Sequence, residues 1–350
     1  MKRFFKTVGT LCFSVILSSL LYANETEVID LAGRKVTIPK ESKKVLALTG
    51  PSFEKILMLG ETEKIVGVAP SAVNNWSKIV SPNIKNIPII KNPKTPNVEE
   101  LMSLGAEYAF YWNLPESIDK LKQVGIEAIV TQFPSNDNPK TIEEFIKFQK
   151  DEVRVTAQAL GGEALEKEKL WNEYFDSKVD MILSRTKNLK PEEIPNVYYA
   201  RSDEGLVCFS KNSYPQFLVE IAGGNYLAKD TLKEMNDTVT IEKIISWNPD
   251  VIFTGRLKST GIITDNPSWS GLKAVQNNRV YLCPTGIKDW DYSSENILLL
   301  QYIAKMLHPE LFKDIDMKKE IKYYYNTFYG YDISDENIEN ILNHKDPSGK

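Results

Sequence analysis

The chain has 350 residues, 42% hydrophobic and 26% charged, with a formal net charge of −4, three cysteines and two histidines. These are the proportions of an ordinary globular protein large enough for one large or two medium domains, and they exclude disorder, collagen and coiled coil. The acidic balance excludes a nucleic-acid binder by charge, and the scarcity of histidine excludes most histidine-based acid–base chemistry and metal ligation.

Met1–Lys6 is basic, Thr7–Leu21 is an uncharged and mainly apolar run, and Leu21-Tyr22-Ala23 ends on a small residue. This is the build of a cleavable secretory signal peptide; the run falls short of the ~20 residues a membrane span needs. Cleavage after Ala23 removes three of the basic residues and brings the charge to −7. The expected destination is the periplasm. Cys12 lies mid-run without a lipoprotein-type site before it, and Cys208 and Cys283 remain, either paired or as buried thiols.

Residues 27–39 alternate around Ala32-Gly33 and predict a β-hairpin. A buried strand over 44–49, a helix over 52–59 stopped by Gly60, and a strand over 64–68 form a βαβ unit, which argues a parallel sheet. A loop with Trp76 leads to PNVEELMSLGAEYAFYW at 96–112, then to a helix over 117–124 and a strand over 127–130. Residues 24–140 thus read as an N-terminal α/β lobe. From 141 to 190 apolar residues recur at helical spacing (Phe145, Phe148, Val155, Leu160, then Leu170, Tyr174, Val179), predicting one long connecting helix, or two broken at Gly161-Gly162. Residues 191–350 open as the first lobe does: a strand over 196–200, another over 205–209, a helix over 214–222 stopped by Gly223-Gly224, then VTIEKIISWNPDVIFTG at 239–255. A strand over 279–283, a helix over 294–307, a tyrosine-rich tail at 321–331 and a last short helix complete the chain. The tail tyrosines read as packing residues.

The stretches 96–112 and 239–255 are a repeat. Without gaps, Val98 matches Ile241, Glu99 matches Glu242, Leu101-Met102-Ser103 match Ile244-Ile245-Ser246, Glu107 matches Asp250 and Phe110 matches Phe253. Each copy reads as N-cap, short amphipathic helix, turn and apolar strand. Two copies predict two similarly built lobes rather than a solenoid. No nucleophile elbow, phosphate loop or dinucleotide fingerprint is present, so no catalytic residues are assigned and no cofactor is expected. An exported bilobal α/β chain of this kind predicts ligand capture in a cleft.

Several segments carry a family resemblance: KVLALTGPSFEKILMLG at 44–60 with VGV at 66–68, both repeat copies, WSGLKAV-x-N-x-RVYL-x-P at 269–284, Trp290, and HPELFKDIDM at 308–317. The mature chain resembles the periplasmic substrate-binding proteins of ABC importers that handle iron–siderophore complexes, haem and vitamin B12. The resemblance implies two Rossmann-like lobes with parallel sheets joined by a long rigid helix. It implies a monomer that docks on an inner-membrane ABC permease through one surface glutamate per lobe, here Glu99 and Glu242. Each follows a capping residue, Asn97 or Thr240, in a first helical turn where the dipole favours an acid, so a purely helix-stabilising role also accounts for it. The ligand is expected at the carboxyl ends of the strands. Candidates there are Trp112, Arg256, Trp290, Arg201, Tyr292 and Ser71, with Trp76 behind them. Aromatic walls and two arginines suit an anionic metal chelate, foremost a ferric siderophore. Molybdate or tungstate, a nickel chelate, cobalamin or haem are the alternatives within the class. A carboxylate-dependent periplasmic enzyme using Asp289, Asp291 and Glu204 is the alternative outside it, and no direct metal ligands are assigned.

Overall fold

Two parallel four-stranded sheets form the frame of the computed structural model, which describes residues 24–132, 138–202, 204–230 and 236–350. The leader expected at 1–23 lies outside the described residues. Among those residues no helix is long and apolar enough to cross a membrane.

The first sheet joins β3 (Val45–Ala47), β4 (Ile65–Val68), β5 (Tyr108–Tyr111) and β6 (Glu127–Val130) in the order β4-β3-β5-β6. The second joins β7 (Asn196–Ala200), β9 (Asn225–Tyr226), β11 (Val251–Thr254) and β12 (Val280–Leu282) in the order β12-β11-β7-β9. Numbered within its own lobe, each sheet has the order 2-1-3-4, so the two lobes share one topology. The hairpin β1 (Glu25–Ile29) with β2 (Lys35–Pro39) and the antiparallel pair β8 (Val207–Phe209) with β10 (Asn236–Thr238) flank them. The strands are short uninterrupted apolar runs because both faces of a parallel sheet are covered. Val45, Leu46, Ala47, Val251, Ile252 and Phe253 are fully buried.

The repeat copies occupy equivalent places. Helix α3 (Val98–Ser103) leads to β5, and helix α8 (Ile241–Trp247) leads to β11. Asn97 Oδ1 caps α3 by accepting the Glu99 amide at 3.0 Å, and Thr240 Oγ1 caps α8 from Lys243 at 3.3 Å. The matched acids Glu107 and Asp250 perform the same task. Glu107 accepts the Lys43 amide at 2.9 Å and donates its own amide to the Lys44 carbonyl at 2.9 Å. Asp250 accepts the Asn196 amide at 2.9 Å and donates its amide to the Asn196 carbonyl at 2.9 Å. Each acid therefore straps the third strand of its sheet to the start of the first.

The remaining helices of six residues or more, in chain order, are α1 (Gly50–Met58), α2 (Asn75–Val80), α4 (Pro115–Gln123), α5 (Ile142–Leu160), α6 (Glu163–Thr186), α7 (Tyr214–Ile221), α9 (Asn296–Leu307), α10 (Met317–Tyr329) and α11 (Asp335–Leu342). The connecting segment is thus two helices rather than one rod. Gly161 and Gly162 separate them, both at positive φ (67° and 54°), a conformation that favours glycine. The chain folds back there, and Lys150 on α5 reaches Asp176 on α6 at 2.6 Å. Helix α5 touches both lobes. Its last turn accepts from Tyr108 Oη and Lys64 Nζ of the first lobe (2.8 and 2.9 Å), while Phe145 stacks on Phe217 of the second (5.1 Å).

The tail returns to the first lobe. Tyr324, Tyr325 and Tyr329 on α10 are buried, as packing residues would be, whereas Tyr323 is exposed. Tyr329 Oη donates to Glu54 of α1 at 2.6 Å, and the Trp76 indole donates to the Lys345 carbonyl at 3.0 Å.

Candidate functional site

The first and third strands of the second sheet are neighbours, and both run off their carboxyl ends into arginine. Ala200 pairs with Thr254, and the Gly255 amide donates to the Ala200 carbonyl at 2.9 Å. Arg201 and Arg256 follow directly. This is the point where strand order reverses, and open α/β sheets bind ligands in the crevice there. Gly255 lets the turn form because a Cβ at this position would lie 2.4 Å from the Tyr199 ring. Arg256 then takes a left-handed conformation, with φ of 68°.

The two arginines line a cavity of about 380 Å³. Tyr292, Phe209 and Tyr214 form aromatic wall from the second lobe, Gln132 and Pro51 come from the first, and Phe145, Phe148, Gln149 and Glu152 project from α5. Arg201 lies over the Phe209 ring at 4.7 Å, and its backbone pairs with Val207. No acidic partner contacts its guanidinium among the described residues. Arg256 is held differently. Nε and Nη2 donate to Asp291 Oδ1 at 3.1 and 3.0 Å, Asp289 lies 3.5 Å away, and the guanidinium covers the Tyr292 ring at 5.2 Å. Burial opposes its charge, but Asp291 and Asp289 hold it protonated well beyond the usual arginine range. Asp291 also accepts from Tyr214 Oη at 2.9 Å and Tyr199 Oη at 3.4 Å. Burial works against the Asp289 charge too, yet Lys288 at 2.9 Å and Arg256 hold that carboxyl below its ordinary range. Glu152 of the lining pairs with the buried Lys55 at 3.0 Å; burial pushes the Glu152 carboxyl up against the pull of the lysine.

Of the residues expected from sequence, Arg201, Arg256 and Tyr292 come together in this cavity, and three do not. Trp112 packs edge-on against Tyr111 (5.5 Å) and borders a separate shallow depression beside Lys91 and Lys94. Trp290 is buried, 1% exposed, and its indole donates inward to Glu295 at 3.1 Å. Ser71 sits in an exposed turn against Gly50, outside the cavity lining. Trp76, buried against the tail, braces the lobes. The wall formed by α5 went unrecognised as a site. Its signal is the spacing Phe145, Phe148, Gln149, Glu152, which is one helix face.

The acids of the enzyme alternative do not converge. Asp289 and Asp291 are engaged with Arg256, while Glu204 is exposed and away from the cavity. Among the described residues no three His, Cys, Asp or Glu side chains cluster to hold a metal ion. Cys208 and Cys283 are separate buried thiols; burial pushes Cys208 up to about 12 and Cys283 higher still. Glu99 and Glu242 are exposed on different lobes, and neither forms an ion pair among the described residues.

Residues 45–285 match the periplasmic binding protein family. The molybdate-binding protein MolA of Haemophilus influenzae is 25% identical over 345 residues, covering 91% of this chain and 96% of MolA. MolA bound to molybdate superposes with a TM-score of 0.76 at 22% identity, covering 88% of this chain and 99% of that one. A periplasmic solute-binding protein of Veillonella parvula superposes with a TM-score of 0.78 at 28% identity, covering 91% of this chain and 97% of that one. CeuE of Helicobacter pylori in its nickel–histidine complex gives 0.71 at 22% identity, with 91% and 99% covered. The repeated 2-1-3-4 sheets, the cavity at their switch point and the match over most of the chain lead to one conclusion: this chain belongs to the periplasmic binding protein family, whose members bind a transported ligand for an ABC importer and are not enzymes.

Proposed function

We propose that the protein captures a compact anionic metal chelate, of the ferric siderophore type, outside the cytoplasmic membrane and delivers it as a monomer to an inner-membrane ABC permease. The observation that carries this reading is the pair of neighbouring arginines opening onto an aromatic and amide-lined cavity. Their planar donor forks match carboxylate, catecholate or hydroxamate oxygens. Phe145, Phe148, Phe209 and Tyr292 offer flat apolar surface to a chelator. A cavity of about 380 Å³ corresponds to some dozen water volumes, at ~30 Å³ each. That suits a small chelate better than an isolated tetrahedral oxyanion. With no cluster of metal-ligating side chains among the described residues, the metal would arrive already chelated.

Molybdate is the second reading, favoured by the likeness to MolA along 91% of the chain. Calorimetric titration of the mature chain with ferric bis-catecholate, ferric citrate, nickel–histidine and molybdate separates the two. Saturable binding of a chelate, lost on Arg201→Ala or Arg256→Ala, supports the first; a response to molybdate alone replaces it with the second. No response to any metal species removes both.

For docking, the exposed acids at the starts of α3 and α8 are the natural contacts for cationic permease residues. Reversing both, as E99K/E242K, should abolish uptake and leave ligand affinity intact. A fall in ligand affinity would assign them a structural role instead.

A further inference from the structure

The repeat copies keep more than their glutamates in register. Residues 99–103 along α3 run exposed, exposed, buried, exposed, exposed, and residues 242–246 along α8 run the same way. The buried centre is Leu101 in one copy and Ile244 in the other, both 0% exposed. Ser103 and Ser246 each fold back to donate to the carbonyl three residues earlier, at 2.7 Å in both cases. Between the buried centre and that serine stands an apolar side chain facing solvent: Met102, 52% exposed, and Ile245, 49% exposed.

A single exposed apolar residue calls for no explanation. Two at the same repeat position, on two different lobes, do. Among the described residues nine large apolar side chains are exposed, only Ile29 matches Met102 and Ile245 in openness, and Met102 and Ile245 are the pair the repeat superposes. Each stands three residues after its glutamate, on the same helix face. The two lobes therefore present patches that share an acid and an apolar side chain; the exposed position between them is a second acid, Glu100, on α3 and Lys243 on α8, whose ammonium lies over the Trp247 ring at 5.4 Å.

We infer that Met102 and Ile245 are apolar contacts for the permease, and that each permease half presents a small apolar recess beside its cationic residue. The inference rests on the docking role proposed for Glu99 and Glu242. The charge of the patch decides the occupant. Exposed acids without ion-pair partners repel an anionic lipid surface and a second copy of the same patch, and they attract a cationic protein surface. The acid would govern encounter, while the apolar group, buried on contact, would slow dissociation.

The test uses the mature chain and its permease–ATPase complex in nanodiscs, identified as the transporter whose deletion abolishes the same uptake. Three double variants are compared: M102S/I245S, E99Q/E242Q, and L165S/L170S as an exposed apolar control on α6. M102S/I245S is expected to weaken docking by about tenfold to a hundredfold, mostly in the dissociation rate, with the salt dependence of affinity retained. E99Q/E242Q should weaken docking and flatten its salt dependence, and the control should match wild type. Docking of M102S/I245S within about twofold of wild type, alongside a loss for E99Q/E242Q, overturns the inference and leaves the glutamate docking standing. No loss from either variant overturns the docking role itself. Liposome binding or self-association that disappears in M102S/I245S, with permease affinity unchanged, assigns the patch to another occupant and also overturns the inference.

Discussion

Glu295 is fully buried at the start of α9, and its environment makes the stability of the whole chain depend on pH. Burial first, and then the charge of Glu54, push its carboxyl up to about 8, against donations from Tyr325 Oη at 2.8 Å and the Trp290 indole at 3.1 Å. The two acids sit where the halves of the molecule meet: Glu54, on α1, accepts the Ser294 amide at 3.0 Å and the Tyr329 hydroxyl at 2.6 Å. Glu295 therefore keeps its proton in the fold and loses it near 4.5 when unfolded. Between those values the native state holds one more proton than the unfolded state, so stability falls as pH rises, by ~1.4 kcal/mol per unit at the steepest. From pH 5 to pH 8 this group alone should remove roughly 3–4 kcal/mol. Glu295→Gln keeps the oxygen that accepts from Tyr325 and Trp290, gives up the long 3.4 Å contact from the Lys288 amide, and cannot ionise. Urea unfolding followed by tryptophan fluorescence at several pH values from 5 to 8 should show wild type losing stability relative to the variant by about that amount. Parallel stability curves would refute both the protonated state of Glu295 and the coupling to Glu54.

Gly286 adjoins the same cluster: a Cβ there would lie 2.2 Å from Tyr325 Oη and 2.3 Å from Glu295 Oε1, so Gly286→Ala should destabilise by roughly 1–3 kcal/mol, measured in the same urea assay. At the cavity, Arg256→Lys keeps the charge and loses the fork that Asp291 and an anionic ligand would share; titration should show affinity reduced by about tenfold or more, and unchanged affinity would mean that charge alone matters there. Because Cys208 and Cys283 are separate thiols, excess reductant should leave the thermal midpoint unmoved; a fall on reduction would reveal a disulfide.

The frame was legible because its signals are local. Parallel strands buried on both faces must be apolar runs, and Asn97 and Thr240 cap their helices through contacts two and three residues away. The repeat was visible because Glu107 and Asp250 strap equivalent strands, so an acid is needed at both places. That Arg201 and Arg256 stand at the rim of the second sheet is readable because the carboxyl end of a strand is fixed by topology, whatever the side chains do. Trp112 and Trp290 lie outside the lining of that cavity for the converse reason. Direction just past a strand, or in a short turn, depends on distant partners: for Trp290, on Glu295 and the tail tyrosines packed around it. Phe145 and Phe148 are spaced like core residues, and only the closure of α5 over the cleft makes their face a wall.

The two copies agree where the scaffold needs them to and diverge at the strand ends. Trp112 corresponds to Gly255, and Asn113 to Arg256. The glycine is forced by Tyr199, which leaves no room for a Cβ, and it allows the turn that aims Arg256 across Tyr292. In the first lobe a tryptophan at that place turns outward against Tyr111, and the lobe contributes Gln132 and Pro51 to the cavity instead of a cation. Both arginines of the cavity thus belong to the second lobe, with its aromatic residues around them and α5 closing one side. An anion bound there would be held mainly by one lobe while the other covers it. Separating the lobes would then uncover the ligand before breaking its strongest contacts. Release would require something that competes for Arg256, and Asp291, which is hydrogen-bonded to it, is placed to do so.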